Sequence, residues 1–279
     1  MGNVPAKAGD FIGRWREVVS DPLNLLINRV SMAGAVEDSL VTLHNGIKVP
    51  VEGEGTYYSD FSKILVINRG VHEPLEEYCF QECLKRMSTK PVMLELGAYW
   101  GHYSMWLKRV RPEASVVLVE PEEGNMRSGQ LNFERNGMSG TFLLASVGKG
   151  QFEVDRFLAT QGLDRLDILH ADIQGAEVEM LEGAQLALQL HAIGYVFIST
   201  HSPDLHNGVI ERLTAYGYRI DANSSLEDTT ACDGLVAAAH PDRPSVFKGQ
   251  PMSREAIARS TPKELLAFVS QLASSMEAP

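Results

Sequence analysis

Cysteine is scarce in this chain: Cys79, Cys83 and Cys232 are the whole supply in 279 residues. The first two lie four apart on a predicted helix, and no cysteine has the spacing of a zinc knuckle. All three therefore read as reduced core thiols, not as a disulfide frame or a thiolate metal site. Apolar runs are short. None approaches the about 18 residues that span a bilayer, and the N-terminus lacks a signal-peptide core. The expected location is the cytoplasm, with no membrane partner. Clusters of Lys and Arg are missing, and the net charge is −11. A nucleic-acid partner, which needs a basic face, is excluded on that ground. No internal repeat or low-complexity tract interrupts the chain. The apolar fraction of 44% is that of a globular protein with one large or two small domains.

The stretch PVMLELGAYWGHYSMWLK, residues 91–108, organises the rest. Val92, Met93 and Leu94 read as a buried strand. Gly97 and Gly101 break it, and an apolar helix resumes through Trp106 and Leu107. Strand, glycine turn and helix form the front half of a nucleotide-binding βαβ unit. The dinucleotide fingerprint G-x-G-x-x-G is absent, since one of its three glycines is missing. Instead Glu95 precedes the first glycine by two residues. A carboxylate there suits a cationic ligand, and S-adenosylmethionine, with its sulfonium and ammonium groups, is the candidate. The next strand, ASVVLVEP, ends in Glu120, at the distance where such folds present an acid to ribose hydroxyls. A helix over 122–136 closes at Asn136-Gly137. Ser146, ending a third strand over 141–147, is placed near the adenine ring.

The remaining elements alternate. A short helix is expected over 152–162, a strand over 166–173, a long helix over 175–190, a strand over 195–200 and a helix over 208–216. Late strands over 218–221 and 233–239 make an antiparallel edge hairpin. The fold class is α/β, a doubly wound and mostly parallel sheet. Before the sheet, residues 1–70 form an N-terminal cap or dimer arm. It holds short helices near 11–15 and 22–30, and a hairpin turning at Asn45-Gly46. Tyr57, Tyr58 and Phe61 form an aromatic cluster that either stacks on a sugar or ring or seals the cofactor. A helix from His72-Glu73-Pro74 to about Met87 leads into the sheet, its apolar face drawn from Leu75, Cys79, Leu84 and Met87. The catalytic domain is taken as 71–240. The tail, 241–279, begins irregular and ends in a helix capped by Thr261, Pro262 and Glu264, packed on the domain or on a second subunit.

Two further strand ends carry polar groups, His170-Ala171-Asp172-Ile173-Gln174-Gly175-Ala176-Glu177 and Ser199-Thr200-His201-Ser202-Pro203-Asp204. Ligands of open α/β sheets bind outside the carboxyl ends of the strands, so both fall beside the cofactor turn. Together with Glu73-Pro74, ELGAYWG, VEP at 119–121 and Asn136-Gly137, the run DIQGAE at 172–177 resembles the FkbM-type family of S-adenosylmethionine-dependent methyltransferases, over roughly 71–240. The resemblance implies a class I methyltransferase (Rossmann-like) fold. It also implies O-methylation of a hydroxyl on a sugar, glycan or secondary metabolite. Cofactor binding then falls to Glu73, Glu95, Gly97, Ala98, Tyr99, Gly101, Glu120, Pro121, Ser146 and Asp172. Departures from the family pattern are Glu95 for Asp, Tyr99 for Asn, His170 for a basic residue, and a shortened segment between Val147 and Val154.

Methyl transfer to a hydroxyl calls for a proton acceptor, and His201 is assigned that role, oriented by Asp172. The other option is a divalent metal such as Mg²⁺, held by Asp172 and His201 with Glu177 or Asp204. His170 reads as a packed structural histidine; His206 and Asp204 line the acceptor pocket or are solvated. The partner expected is a small-molecule or glycan acceptor, with homo-oligomer formation open. Two other classes stand beside this reading: a nicotinamide-dependent oxidoreductase, and a non-catalytic interaction module on the same fold.

Overall fold

The computed structural model describes residues 10–277. Strands with apolar side chains on both faces build the central sheet: β4 (Val92–Leu96), β5 (Ser115–Glu120), β6 (Thr141–Leu144), β7 (Leu166–Ala171), β8 (Ile193–Thr200), β9 (Arg219–Ser224) and β10 (Gly234–Ala239), numbered after three short strands of the N-terminal region. Their order is β6-β5-β4-β7-β8-β10-β9. The first five are parallel neighbours, while β10 runs antiparallel to both β8 and β9. This is the class I methyltransferase arrangement expected from the sequence. The late hairpin is also as expected, but its second strand is the one inserted beside β8.

Side chains alternate across each strand, so the sheet feeds two cores. Met93, Leu118, Ile168 and Phe197 face one; Leu94, Val119, Leu169 and Val196 face the other. The second core is closed by α6 (Val154–Gln161), α7 (Glu177–Glu182), α8 (Gln185–Gln189) and α9 (Pro203–Ala215). The single long helix expected over 175–190 is thus two. Gly183 abuts Glu153 where they part, and the Asp155 carboxylate accepts from the amides of Leu186 and Ala187, both at 2.8 Å, capping α8 from outside.

The first core takes in α3 (Pro74–Leu84), α4 (His102–Val110), α5 (Glu123–Arg135) and the N-terminal region. That region comprises α1 (Phe11–Ser20), a 3-10 turn at Pro22–Leu25 where a longer helix was expected, β1 (Val36–Glu37), β2 (Leu40–Thr42), β3 (Lys48–Pro50) and α2 (Ile64–Ile67). The Asn45-Gly46 hairpin forms with a loop one residue longer than expected: Leu43 donates to the Ile47 carbonyl at 2.7 Å, and β1 joins as a third strand. Leu43, Ile47, Phe61 and Leu65 share the core with Met93 and Phe197, so the cap is continuous with the sheet's interior. All eleven residues of α3 are buried, Glu76, Glu77 and Glu82 among them. An amphipathic helix was expected, and its charged face lies inside.

The C-terminal segment adds α10 (Arg254–Arg259) and α11 (Pro262–Glu277). The predicted capping box forms, with the Thr261 amide donating to Glu264 Oε2 at 2.7 Å. Val269 and Leu272 are buried, and Phe268 and Met276 pack on the first core, so α11 docks on its own chain. Among the described residues no helix is long and apolar enough to cross a membrane. All three cysteines are free thiols.

The ends of β4 and β7 meet closely. Gly97 has φ +71°, and a Cβ there would lie 1.7 Å from the carbonyl oxygen of Asp172. The glycine is required by neighbouring backbone, not by an approaching ligand. Gly97→Ala should destabilise the protein by about 3–5 kcal/mol or abolish folding, because left-handed strain and overpacking add. Gly53→Ala, at φ +83° with nothing within 4 Å, should cost only about 1–2 kcal/mol. Urea unfolding of the two variants checks the difference.

Candidate active site

The carboxyl ends of β4, β5 and β7 border a cavity of about 740 Å³. Six of the expected cofactor residues line it: Gly97, Tyr99, Glu120, Pro121, Ser146 and Asp172. Tyr58 of the aromatic cluster lines it too, as do Asn125 and Gln174, which the sequence reading had not assigned to the cofactor. Glu120 is held by three donors. Its Oε2 accepts from the Tyr99 amide at 3.0 Å; Oε1 accepts from the Glu122 amide at 3.0 Å and from Asn125 Nδ2 at 3.3 Å. A carboxylate has about four acceptor positions, so an acceptor position remains for a hydroxyl in the cavity.

Four expected residues stand elsewhere. Glu95 is buried and accepts from the Ser104 amide at 3.0 Å, so its charge caps the open N-terminus of α4 instead of lining the cavity. Gly101 starts α4 at φ +77° and packs on Phe133. Ala98 is buried and donates its amide to the Val119 carbonyl. Glu73 lies beneath the site, accepting from the Tyr103 hydroxyl at 2.9 Å. Burial, ahead of the opposing charge of His72, pushes its carboxyl up to about 8, with Glu76, Asp172 and Asp233 adding to the rise. The aromatic cluster also divides. Tyr57 packs on His72 and Trp100, Phe61 lies in the core, and Tyr58 alone of the three faces the cavity.

Beside the cavity, three strands converge on one imidazole. His201, just after β8, directs Nδ1 to Glu177 Oε1. Its Nε2 lies 3.2 Å from Asp172 Oδ1, 3.5 Å from Asp233 Oδ1 and 3.0 Å from the Gln174 amide nitrogen, Nε2. Asp172 follows β7 and Asp233 precedes β10. Because β10 is antiparallel, its start lies at the carboxyl edge, with Gly234 opposite Thr200. Asp233 was missed as a site residue. The signal was its position opening a late strand, but only the insertion of β10 next to β8 turns that into proximity. Asp204 is exposed at the start of α9 and outside this cluster. His206 is buried, with Nδ1 at 2.9 Å from Thr200 Oγ1. His170 is structural, as read from the sequence: its Nε2 meets Glu76 Oε1 at 2.8 Å under the site.

Charge decides the roles. Burial disfavours the His201 imidazolium, but hydrogen bonds to Asp172 and Glu177 and the fields of Asp172 and Asp233 outweigh it, raising the ring to about 10. A raised ring favours the imidazolium, the form that has no lone pair for a substrate proton. The base role read from the sequence belongs to the neutral form of the ring. Asp233, raised to about 6 by burial and by Asp172 against the pull of His201, is ionised just below neutrality. The backbone is strained here too: Tyr99 and Gln174 hold φ of +43° and +52°.

Comparison with known proteins identifies the family. A family model described as the methyltransferase FkbM domain matches residues 71–220. No curated protein matches the chain. Among solved structures, the precorrin-6y C5,15-methyltransferase of Geobacter metallireducens GS-15 is similar at TM-score 0.46 and 13% identity, covering 69% of this chain and 99% of that one. TrmK of M. capricolum, in complex with S-adenosyl-homocysteine, gives TM-score 0.41 and 12% identity over 69% and 81% of the two chains. Fibrillarin of Aeropyrum pernix, with natively bound S-adenosyl-L-methionine, gives 0.41 and 16% over 58% and 76%. The family match covers more than half of the sequence, and the chain belongs to the FkbM family of methyltransferases.

Proposed function

We propose that the protein is an S-adenosylmethionine-dependent O-methyltransferase acting on a hydroxyl of a sugar, glycan or secondary metabolite. The observation that carries this is the adjacency of two anionic features: Glu120, aimed into the cavity, and the Asp172–His201–Asp233 cluster at its side. The family membership rules out neither C- nor N-methylation; the carboxylates favour oxygen, since a hydroxyl must surrender a proton.

The cofactor fits the residues present. Glu120 offers its free acceptor position to the ribose, Tyr58 and Ser146 supply the adenine side, and the acidic edge attracts a cation. When bound, S-adenosylmethionine supplies an electrophilic methyl group. The chain's own work is positioning, which can contribute roughly 7–11 kcal/mol, and proton handling. Asp233 Oδ1 receives the hydroxyl proton. His201 stays charged, orients Asp172 and Asp233 through Nε2, and is itself fixed by Glu177. The acceptor is a small molecule or glycan, the location cytoplasmic, and any association is with further copies of this chain.

A second reading is favoured by one observation: Asp172, His201 and Asp233 each place a ligand atom within 4.8 Å of the others. There a divalent cation, Mg²⁺ or the better imidazole match Mn²⁺, would take the place of the Nε2 proton and acidify the hydroxyl. Chelation separates the two. Under the proton reading EDTA leaves turnover unchanged; under the metal reading turnover falls and the cation restores it.

The proton reading also fixes the pH profile. Turnover should rise through about pH 6 as Asp233 ionises, and fall through about pH 10 as His201 loses its proton. Asp233→Asn should lower kcat by about 10²–10⁴ and remove the acid limb, measured with an acceptor found by screening. A profile without the limb near 6 in the wild type would reject Asp233 as the base. Glu120→Ala should weaken S-adenosylmethionine binding by about 10- to 100-fold in calorimetric titration. Unchanged affinity would move the ribose elsewhere.

A further inference from the structure

We propose that His44, Glu77 and His102 form a second site, a buried centre for one divalent transition metal of the zinc type. It ties the N-terminal hairpin to α3 and α4. The three residues come from three separate elements: the β2–β3 loop, the first turns of α3 and the first residue of α4. All are buried, at 1%, 0% and 1% exposure. One ligand atom of each lies within 4.8 Å of the others. Small rotations would bring them to the about 2.0–2.2 Å at which zinc holds imidazole nitrogen and carboxylate oxygen.

The hydrogen bonding of the three is what a metal would use. His44 Nδ1 lies 3.4 Å from the Asn28 carbonyl, which can only accept, so the ring hydrogen is there and Nε2 is free. Glu77 Oε1 is engaged by the amides of His72 and Glu73 at 2.7 and 3.1 Å. Its Oε2 lies 2.8 Å from His44 Nε2, at ion-pair distance, and neither atom has another partner among the described residues. Two lone-pair atoms at that distance repel unless a cation lies between them. A proton would serve that pair alone. His102, stacked on Trp100, would keep both ring nitrogens without a partner, each unmet buried group costing about 1–3 kcal/mol. A metal engages all three at once. His44, of the three, lines a cavity of about 540 Å³ beside Gln81 and Trp106.

The test is metal analysis of the purified full chain by inductively coupled plasma mass spectrometry, with thermal unfolding of chelator-treated protein before and after adding Zn²⁺. About one equivalent of metal is expected, and Zn²⁺ at about 100 times its Kd should raise Tm by about 5–10 °C. His102→Phe, which keeps the stack on Trp100, should abolish both the equivalent and the Tm rise; His44→Asn should do the same if the first variant folds poorly. Asp172→Asn, in the other cluster, should keep both. Absence of metal with no Tm response in the wild type overturns the proposal. So does metal lost in Asp172→Asn but kept in His102→Phe.

Discussion

Three carboxylates surround one imidazole at the carboxyl edge of the sheet, and that concentration of negative charge constrains the rest. Like charges so close tolerate one another only if a cation sits among them. His201 supplies it, and Glu177 locks the ring by its far nitrogen. The same condition extends downward through the interior. Glu73 meets Tyr103 and His72, Glu76 meets His170, and Glu77 meets His44 and His72. A layer of acids paired with histidines thus runs from the site into the first core. Few of these groups reach water, so their protonation depends on their neighbours.

This layer explains why α3 defies its sequence pattern. Glu76, Glu77 and Glu82 look like the solvated face of an amphipathic helix. Two instead have partners contributed from elsewhere in the chain, His170 for Glu76 and His44 for Glu77, while Glu82 pairs with Arg86 one turn on. Periodicity reports which side chains are apolar; it does not report that polar ones will find buried partners. The N-terminal region is drawn into the same network through His44, so the sheet's first core and the cap form one interior.

The sheet itself was legible because β4, β5 and β8 each carry a run of three or more apolar residues, and β7 is apolar except at Asp167 and His170. The cavity lining was legible where a side chain's place follows from its strand end, as for Glu120, Ser146 and Asp172. It was not legible where a residue serves its own helix. Glu95 sits at the expected position but turns to cap α4, a choice that depends on the Ser104 amide lying within reach. Asp233 was invisible for a different reason. Its closeness to His201 requires β10 to insert beside β8, and pairing order is a property of the whole sheet. The break between α7 and α8 likewise depends on Asp155, on a different helix.

If the carboxylates, not the imidazole, handle the substrate proton, His201 is a fixed cation. The most direct measurement is the ¹⁵N nuclear magnetic resonance of the histidine rings in chelator-treated protein, with His201 assigned by the signal lost in His201→Gln. A fixed cation has both ring nitrogens protonated at pH 7.5 and titrates near 10. A neutral His201 ring at pH 7.5, titrating near the ordinary histidine value of about 6.5, would contradict it and return the base role to the imidazole.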